Sequence, residues 1–403
     1  MSSVRPLAGL KVLDLAWVVA GPMIGRVLAD AGATVIRIES SQRIETARIM
    51  GPFPNGDFDP QRSASYENCN AGKLGMTLDL SSSEGRDVAL DLARWADVLV
   101  ESFAPGQMAK WGLGYDVLSE SNPRLIMVST SLMGQSGPLS KLAGFGNVGA
   151  ALSGYKSLVG FPDGELIGPF GPYTDYVGPR YATAALLAAL AERDRTGDGA
   201  WLDISQVEAG IQFLGAEFAD YFASGRVAVA TGNRVDDMAP HGVFPAAGED
   251  RWVAIAVRSD AEWSRLAAMI QGEALDERYR TLQGRKADED ALEALVSRWT
   301  LDQEAQPIED RLQAERIPAH VVADTHDMMN DPQLAHLGHF VRLPHPLGGD
   351  SIIEASRFQL SDTRVEPTLA APSFGRDIDH VLGDILGYSE ERIASLRATD
   401  VLK

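Results

Sequence analysis

The sequence has 403 residues, a formal net charge of −20 at pH 7, 45% hydrophobic residues and 23% charged ones. At roughly 100–200 residues per domain this is a globular protein of two or three domains, and the composition excludes a disordered or collagen-like chain. So large an excess of carboxylates repels a polyphosphate chain, no basic patch offsets it, and nucleic-acid binding is set aside.

The longest unbroken apolar stretch, Ala184 to Ala191, falls far short of the roughly 20 residues that cross a bilayer. The opening MSSVRPLAGLKVLDL lacks the basic start, long apolar run and small-residue cleavage site of an export signal. A single cysteine, Cys69, forms neither an internal disulfide nor a thiol metal cluster. A reducing cytoplasm is the expected compartment.

In chain order, KVLDL (11–15) reads as a buried strand, Gly21-Pro22 opens a helix through Asp30, and TVIRI (34–38) reads as the next strand. Pro22 suits the first helical position, where its missing N–H is not needed. After a long polar loop come strand MTLDL (76–80), a helix from Ser81, strand DVLVE (97–101), a helix from Tyr115 to Ser121 and strand RLIMVST (124–130). Ser81 and Glu84 have capping-box spacing, and Val88, Leu92 and Trp95 then share one helix face. Strands alternating with helices of this length favour parallel pairing, so the first part reads as a doubly wound α/β domain.

Residues 134–179 break the pattern, with glycines interleaved with Phe145, Tyr155, Phe161, Phe170, Tyr173 and Tyr176. An irregular stretch of this length usually carries function. The apolar helix RYATAALLAALAERDR (180–195) and strand WLDIS (201–205) follow. The chain is expected to change domain between Ser224 and Arg234. Strands GVFPA and WVAIAV, then helices around 260–271, 288–300 and 305–315, describe a smaller α+β unit, completed by strand AHVV (319–322). After a proline-rich return, helices around Ile378–Ile385 and Glu390–Arg397 are expected to pack back on the first domain. The division is therefore 1–224 for the large Rossmann-like domain, 225–335 for the small domain, and 336–403 for the returning linker and helices.

Several familiar chemistries find no support. After the first strand the chain reads AWVVAGPMIG, not G-x-G-x-x-G, so a nicotinamide cofactor is not indicated. Glu39, at the end of the second strand, is placed to hold a ribose hydroxyl or, more commonly, to sit solvated at a strand end. His336 and His339 lie near Asp331 but do not make the ligand set of a zinc site, and no metal is expected. There is no G-x-S-x-G elbow, and Cys69 without a local histidine reads as a small packed residue. Asp175, in GPFGPYTDYVGPRYATAALLAAL, stands out among glycines, prolines and aromatics. By residue type alone it is a helix cap or turn terminator before it is anything else.

The order and spacing of several segments change that reading. PLAGLKVLDLAWVVAGP (6–22), LADAGATVIRIE (28–39), KLGMTLDLSSSEG (73–85), ADVLVESFAPG (96–106) and NPRLIMVSTSLMGQSGP (122–138) come first. Asp175 with ALLAALAERDRTGDGAWLDIS (185–205), NRVDDMAPHGVFPA (233–246), IPAHVV and DPQL (317–322 and 331–334) and ILGYSEERIASL (385–396) complete the series. Together, from Pro6 to Leu402, they resemble the family III CoA-transferases, the group that includes formyl-CoA:oxalate and carnitine CoA-transferases.

The resemblance implies a Rossmann-like large domain, a smaller one, and an interlocked dimer in which each chain threads through its partner. It implies that Asp175 attacks an acyl-CoA donor and becomes, in turn, a mixed anhydride and an aspartyl-CoA thioester. Succinyl-CoA is a donor used by several such enzymes. Coenzyme A enters as substrate, with no tightly bound cofactor. Glycine-rich stretches 134–149 and 168–178 would let backbone N–H groups approach the tetrahedral intermediates.

By matching motifs, the CoA-contacting positions are Val19, Ala20, Ser40, Leu78, Ser81, Ser102, Phe103 and Lys110. Phe103 would pack on adenine and Lys110 would face a phosphate. Ser40 stands where relatives commonly have a basic residue, Ser102-Phe103-Ala104 replaces an Asn-Phe pair followed by Gly or Arg, and Gly146 stands where an acid often follows an aromatic. Some relatives are built from two paralogous chains, so a homodimer and a heteromer both remain open. Two other readings compete. An α-methylacyl-CoA racemase would need a histidine in the segment that here reads Ala143-Gly144-Phe145-Gly146-Asn147, and phenylalanine carries no proton. A non-catalytic subunit would tolerate the altered CoA positions but has no use for Asp175.

Overall fold

The computed structural model describes residues 5–162, 164 and 167–403, so Met1–Val4 of the N-terminal reading lie outside the described residues. The chain divides into two compact units. The first comprises residues 1–155, 169–226 and 332–403; the second comprises 156–168 and 227–331. Lys156–Gly168, left in the large domain by the sequence reading, thus belongs to the second unit, and the return begins at Pro332.

Six parallel strands form the centre of the first unit: β1 (Lys11–Asp14), β2 (Thr34–Glu39), β3 (Leu74–Thr77), β4 (Val98–Glu101), β5 (Ile126–Ser131) and β6 (Ala200–Ser205). Their order is β3-β2-β1-β4-β5-β6, the doubly wound order with its switch point between β1 and β4. Alternation along β1 explains the two cores. Leu13 and Leu15 face one side, with Ile36, Ile38, Met76, Leu99 and the helix residues Val88 and Leu92. Val12 faces the other, with Val35, Val98, Val128, Ile24, Leu28 and the helix residues Ala182, Leu186 and Leu190. The last three recur every fourth position, so one stripe of the long helix Tyr173–Thr196 is buried. Each buried leucine in it contributes about 1.5–3 kcal/mol of transfer free energy.

Local chemistry explains most boundaries. The helix Ala20–Asp30 begins before Pro22, which occupies its third position rather than its first; the first helical bond is from the Met23 N–H to the Val19 carbonyl, so the three preceding positions donate no intrahelical bond and proline costs nothing there. The third strand ends at Thr77, because the Asp79 carboxylate turns back to accept from the Ser81 N–H at 2.8 Å and hydroxyl at 2.6 Å. The next helix, Ser83–Trp95, is capped by Ser82, whose Oγ accepts from the Gly85 N–H at 2.9 Å. The cap therefore falls one residue later than the expected Ser81, and no reciprocal box forms, because the third helical residue is Gly85 and has no side chain. Only glycine fits at that third position, since a Cβ on Gly85 would stand 1.9 Å from the Asp79 carbonyl oxygen.

The long helix starts seven residues before the expected Arg180, and it takes in Gly178 and Pro179. Those residues read as breakers, yet the helix runs through them, and proline at 179 leaves the Asp175 carbonyl without the N–H that would otherwise meet it. The C-terminal helical stretches His380–Ile385 and Glu390–Ala398 pack through Val381, Leu382, Ile393 and Leu396 on the Leu13 side of the sheet. The proline-rich return contains an antiparallel hairpin that sequence reading missed, β10 (Phe340–Pro344) with β11 (Asp350–Glu354). Its turn uses Gly348 and Gly349 at φ of 89° and 76°.

The second unit has an antiparallel sheet of β7 (His241–Pro245), β8 (Trp252–Ala256) and β9 (Ala319–Val321), in that order. Helices Asp260–Ile270, Glu289–Thr300 and Ala305–Ala314 cover it through Trp263, Leu266, Leu292, Val296, Ile308 and Leu312.

Candidate active site

Asp175 lies in the first turn of the long helix and is 5% exposed. It does not cap its own helix, whose cap position is Pro172. Its Oδ2 instead accepts from the N–H of Gly146, the first residue of the helix Gly146–Leu152, at 3.1 Å. The Gln206 side chain is a second hydrogen-bond partner. The close approach of these helices requires residues without side chains. A Cβ on Gly146 would sit 2.5 Å from the Pro172 carbonyl oxygen and 2.8 Å from Asp175 Cγ, and one on Gly149 would sit 2.2 Å from Thr174 Oγ1.

Burial pushes the Asp175 carboxyl up to about 6, against the opposing effect of the Gly146 and Gln206 donors. Among the described residues it has no ion-pair partner. The result is a carboxylate held by neutral dipoles, ionised at neutral pH and weakly solvated. Such a group is a better nucleophile than an exposed or salt-bridged one.

At the carboxyl ends of β1 to β4 lies a cavity of about 720 Å³, where doubly wound sheets bind ligands. Leu15 and Trp17 after β1, Glu39, Ser40 and Arg43 after β2, Leu78 and Ser81 after β3, and Phe103, Gln107 and Trp111 after β4 contribute to its wall, with Asp400 and Lys403 from the end of the chain. Phe103 stands edge-on to Trp111 at 4.9 Å and to Trp17 at 6.0 Å, and the Arg43 guanidinium lies 5.3 Å over the Trp17 ring. An aromatic wall flanked by hydroxyls and the Arg43 guanidinium suits a planar ligand.

The structure thus brings together four of the eight expected contact positions, Ser40, Leu78, Ser81 and Phe103. Val19 and Ala20 are buried at the start of the helix Ala20–Asp30 and do not line the cavity. Ser102 stands behind the wall, its Oγ accepting from the Trp17 N–H at 2.8 Å. Lys110 is exposed at the end of the short helix Gln107–Lys110 and is not on the lining. Asp175 is likewise not part of the lining.

Sequence reasoning missed Arg43, Trp111 and Lys403. None of the three had a signal in the sequence, because only the fold brings Trp111 against Phe103 and returns Lys403 to the end of β3. Glu39 is not a solvated strand-end acid: its carboxylate pairs with Arg48 at 2.6 and 2.7 Å and the residue is 3% exposed. Glu101, 2% exposed at the end of β4, accepts from the Phe103 N–H at 2.7 Å, and burial pushes it up to about 7. Burial also pushes the Cys69 thiol up to about 12, which leaves it un-ionised at neutral pH. Among the described residues one group has metal-ligand proximity, Asp324, His326 and Asp327. Its two carboxylates form a helix capping box and pair with Arg251. No described helix is long and apolar enough to cross a membrane.

Comparison with known proteins settles the family. Residues 7–378 match CoA-transferase family III.

The chain belongs to that family.

This family III CoA-transferase is 31% identical over 406 residues to a succinyl-CoA–D-citramalate CoA-transferase of Chloroflexus aurantiacus, covering 99% of this chain and 98% of the relative. It is 31% identical to a succinate–glutarate CoA-transferase of Agrobacterium fabrum, covering 94% and 96%. The crystal structure of a CaiB/BaiF family protein from Brucella suis superposes with a TM-score of 0.87 at 29% identity, covering 94% of this chain and 99% of that one.

Proposed function

We propose that this family III CoA-transferase moves CoA from an acyl-CoA donor, succinyl-CoA first among the candidates, to a second carboxylic acid, with Asp175 as the covalent carrier. The observation that carries the reading is the buried Asp175 carboxylate, ionisable near neutrality, bound by the Gly146 N–H and paired with no cation among the described residues. Succinyl-CoA and dicarboxylate acceptors are named from the relatives that use citramalate and glutarate.

The Asp175 carboxylate adds to the thioester carbonyl and expels CoA thiolate, leaving an acyl–aspartyl anhydride. The thiolate then attacks the aspartyl carbonyl, which releases the donor acid and forms an aspartyl-CoA thioester. The acceptor carboxylate attacks that thioester and expels thiolate again, and the thiolate takes the acceptor's acyl group and restores Asp175. Each step exchanges one activated acyl group for another, so group potential is kept provided water is excluded. The Gly146 N–H and the other glycine-rich backbone donors are assigned to the developing oxyanions.

Coenzyme A enters as substrate, its nucleotide end in the aromatic cavity against Ser40, Leu78, Ser81 and Phe103. The racemase reading fails at Phe145, which has no proton to give. Homodimeric assembly, or assembly with a paralogous chain, is proposed because the helix Gly215–Ser224 buries no residue although it carries Phe218, Tyr221 and Phe222.

The test is to incubate the chain with succinyl-CoA and then with hydroxylamine or borohydride. Modification of Asp175 in peptide mapping is expected, with loss of both labelling and transfer in Asp175→Ala. Labelling elsewhere refutes the mechanism. Assaying the chain alone separates the catalytic enzyme from a subunit that needs a second chain.

A further inference from the structure

The turn between β1 and its helix is held in an unusual way. Three consecutive N–H groups, those of Ala16, Trp17 and Val18, are each taken by a side chain: Asp14 Oδ1 at 2.9 Å, Ser102 Oγ at 2.8 Å and Glu45 Oε2 at 2.7 Å. Val18 has φ of 69°, a left-handed conformation in which a β-branched side chain is strained. Strain of this kind persists only where the surroundings enforce it.

Here the enforcing group is Glu45, 1% exposed, which is itself fixed by the fully buried Arg37. Arg37 also donates to the Ala16 carbonyl and lies 3.6 Å from Asp14. The residue at the apex, Trp17, is on the cavity wall, against Phe103 and beneath Arg43.

We propose that Glu45 is a positioning residue for coenzyme binding: by accepting the Val18 N–H it locks the strained turn that presents Trp17 to the cavity. The inference rests on the reading that this cavity receives the coenzyme. Ser102 assists from the opposite side of the turn, through the Trp17 N–H. A carboxylate at position 45 that served only as the buried counter-ion of Arg37 would affect stability without selecting this turn.

The discriminating experiment uses the strain. Glu45→Gln keeps the side chain's size, and Asp14 still faces Arg37, but the charged acceptor for Val18 is gone. The KM for acyl-CoA is expected to rise about tenfold with kcat within about threefold. In a Val18→Gly background, glycine holds the left-handed conformation without strain, so the same Glu45→Gln change should raise KM less than about threefold. A crystal structure of Glu45→Gln should show Val18 relaxed to negative φ.

An equal rise in both backgrounds, an unchanged KM in folded Glu45→Gln, or Val18 still at positive φ overturns the proposal. Should Glu45→Gln fail to fold, Ser102→Ala decides: a raised KM with kcat retained supports the device, and an unchanged KM refutes it. The crystallographic result stands whatever the wild-type chain catalyses. Absence of any CoA transfer by the wild-type chain, alone or with a second chain, would instead refute the functional reading.

Discussion

Asp175→Asn tests the electrostatic argument most directly. In the folded chain this carboxyl titrates near 6 instead of 3.8, a difference of about 2 units, so keeping it ionised at neutral pH costs about 3 kcal/mol of folding stability. The sign follows from proton counting. Between about pH 4 and 6 the folded chain holds a proton that the unfolded chain has lost, so the group's contribution is full below the unfolded value, declines as pH rises through this window, and is flat above it. Asparagine does not titrate.

The stability difference between Asp175→Asn and wild type should therefore move in the variant's favour by about 2 kcal/mol from pH 4 to pH 7.5. Losses from altered hydrogen bonds are independent of pH and cancel in that comparison. Urea denaturation at a series of pH values measures it, with ΔG from linear extrapolation. A difference that stays level across the window would show that Asp175 is not held in a desolvated pocket, and the argument for its activation would fall. With Asp175 as the proposed nucleophile, the same titration is expected to set an acid limb in wild-type kcat/KM near pH 6, since attack needs the ionised carboxylate.

Other perturbations probe the remaining parts. Gly146→Ala places a methyl against Pro172 and Asp175 and should cut kcat/KM about a hundredfold while costing about 1–3 kcal/mol of stability, measured by kinetics and denaturation of one preparation. Phe103→Ala removes the centre of the aromatic wall, and the KM for acyl-CoA should rise about tenfold with kcat nearly kept. Lys73→Met strips the buried Asp14 of the ammonium 2.7 Å away and should cost about 3–5 kcal/mol, read from the denaturation midpoint. Phe222, 81% exposed on the helix Gly215–Ser224, should be covered in the assembled enzyme; Phe222→Asp is expected to shift sedimentation toward the single chain.

The sequence by itself determined the repeating architecture. The strands from KVLD to AWLDIS and the helices between them are legible because a strand covered on both faces reads as a short run of buried apolar residues and a helix as an apolar stripe every third or fourth position, and these are local properties. Ordered motifs likewise identified the family and singled out Asp175. They could not say what surrounds it, since Gly146 lies 29 residues away and Gln206 lies 31 residues on.

The tertiary structure decided the rest. It brought Ser40, Leu78 and Phe103 to one cavity with Arg43 and Lys403, and left Val19, Ala20, Ser102 and Lys110 off its lining. It turned Glu39 from a presumed strand-end acid into the buried partner of Arg48, and joined Glu45 to a strained valine 27 positions earlier. Desolvation and hydrogen-bond geometry depend on which distant segments meet, and a one-dimensional pattern of side chains does not contain that information.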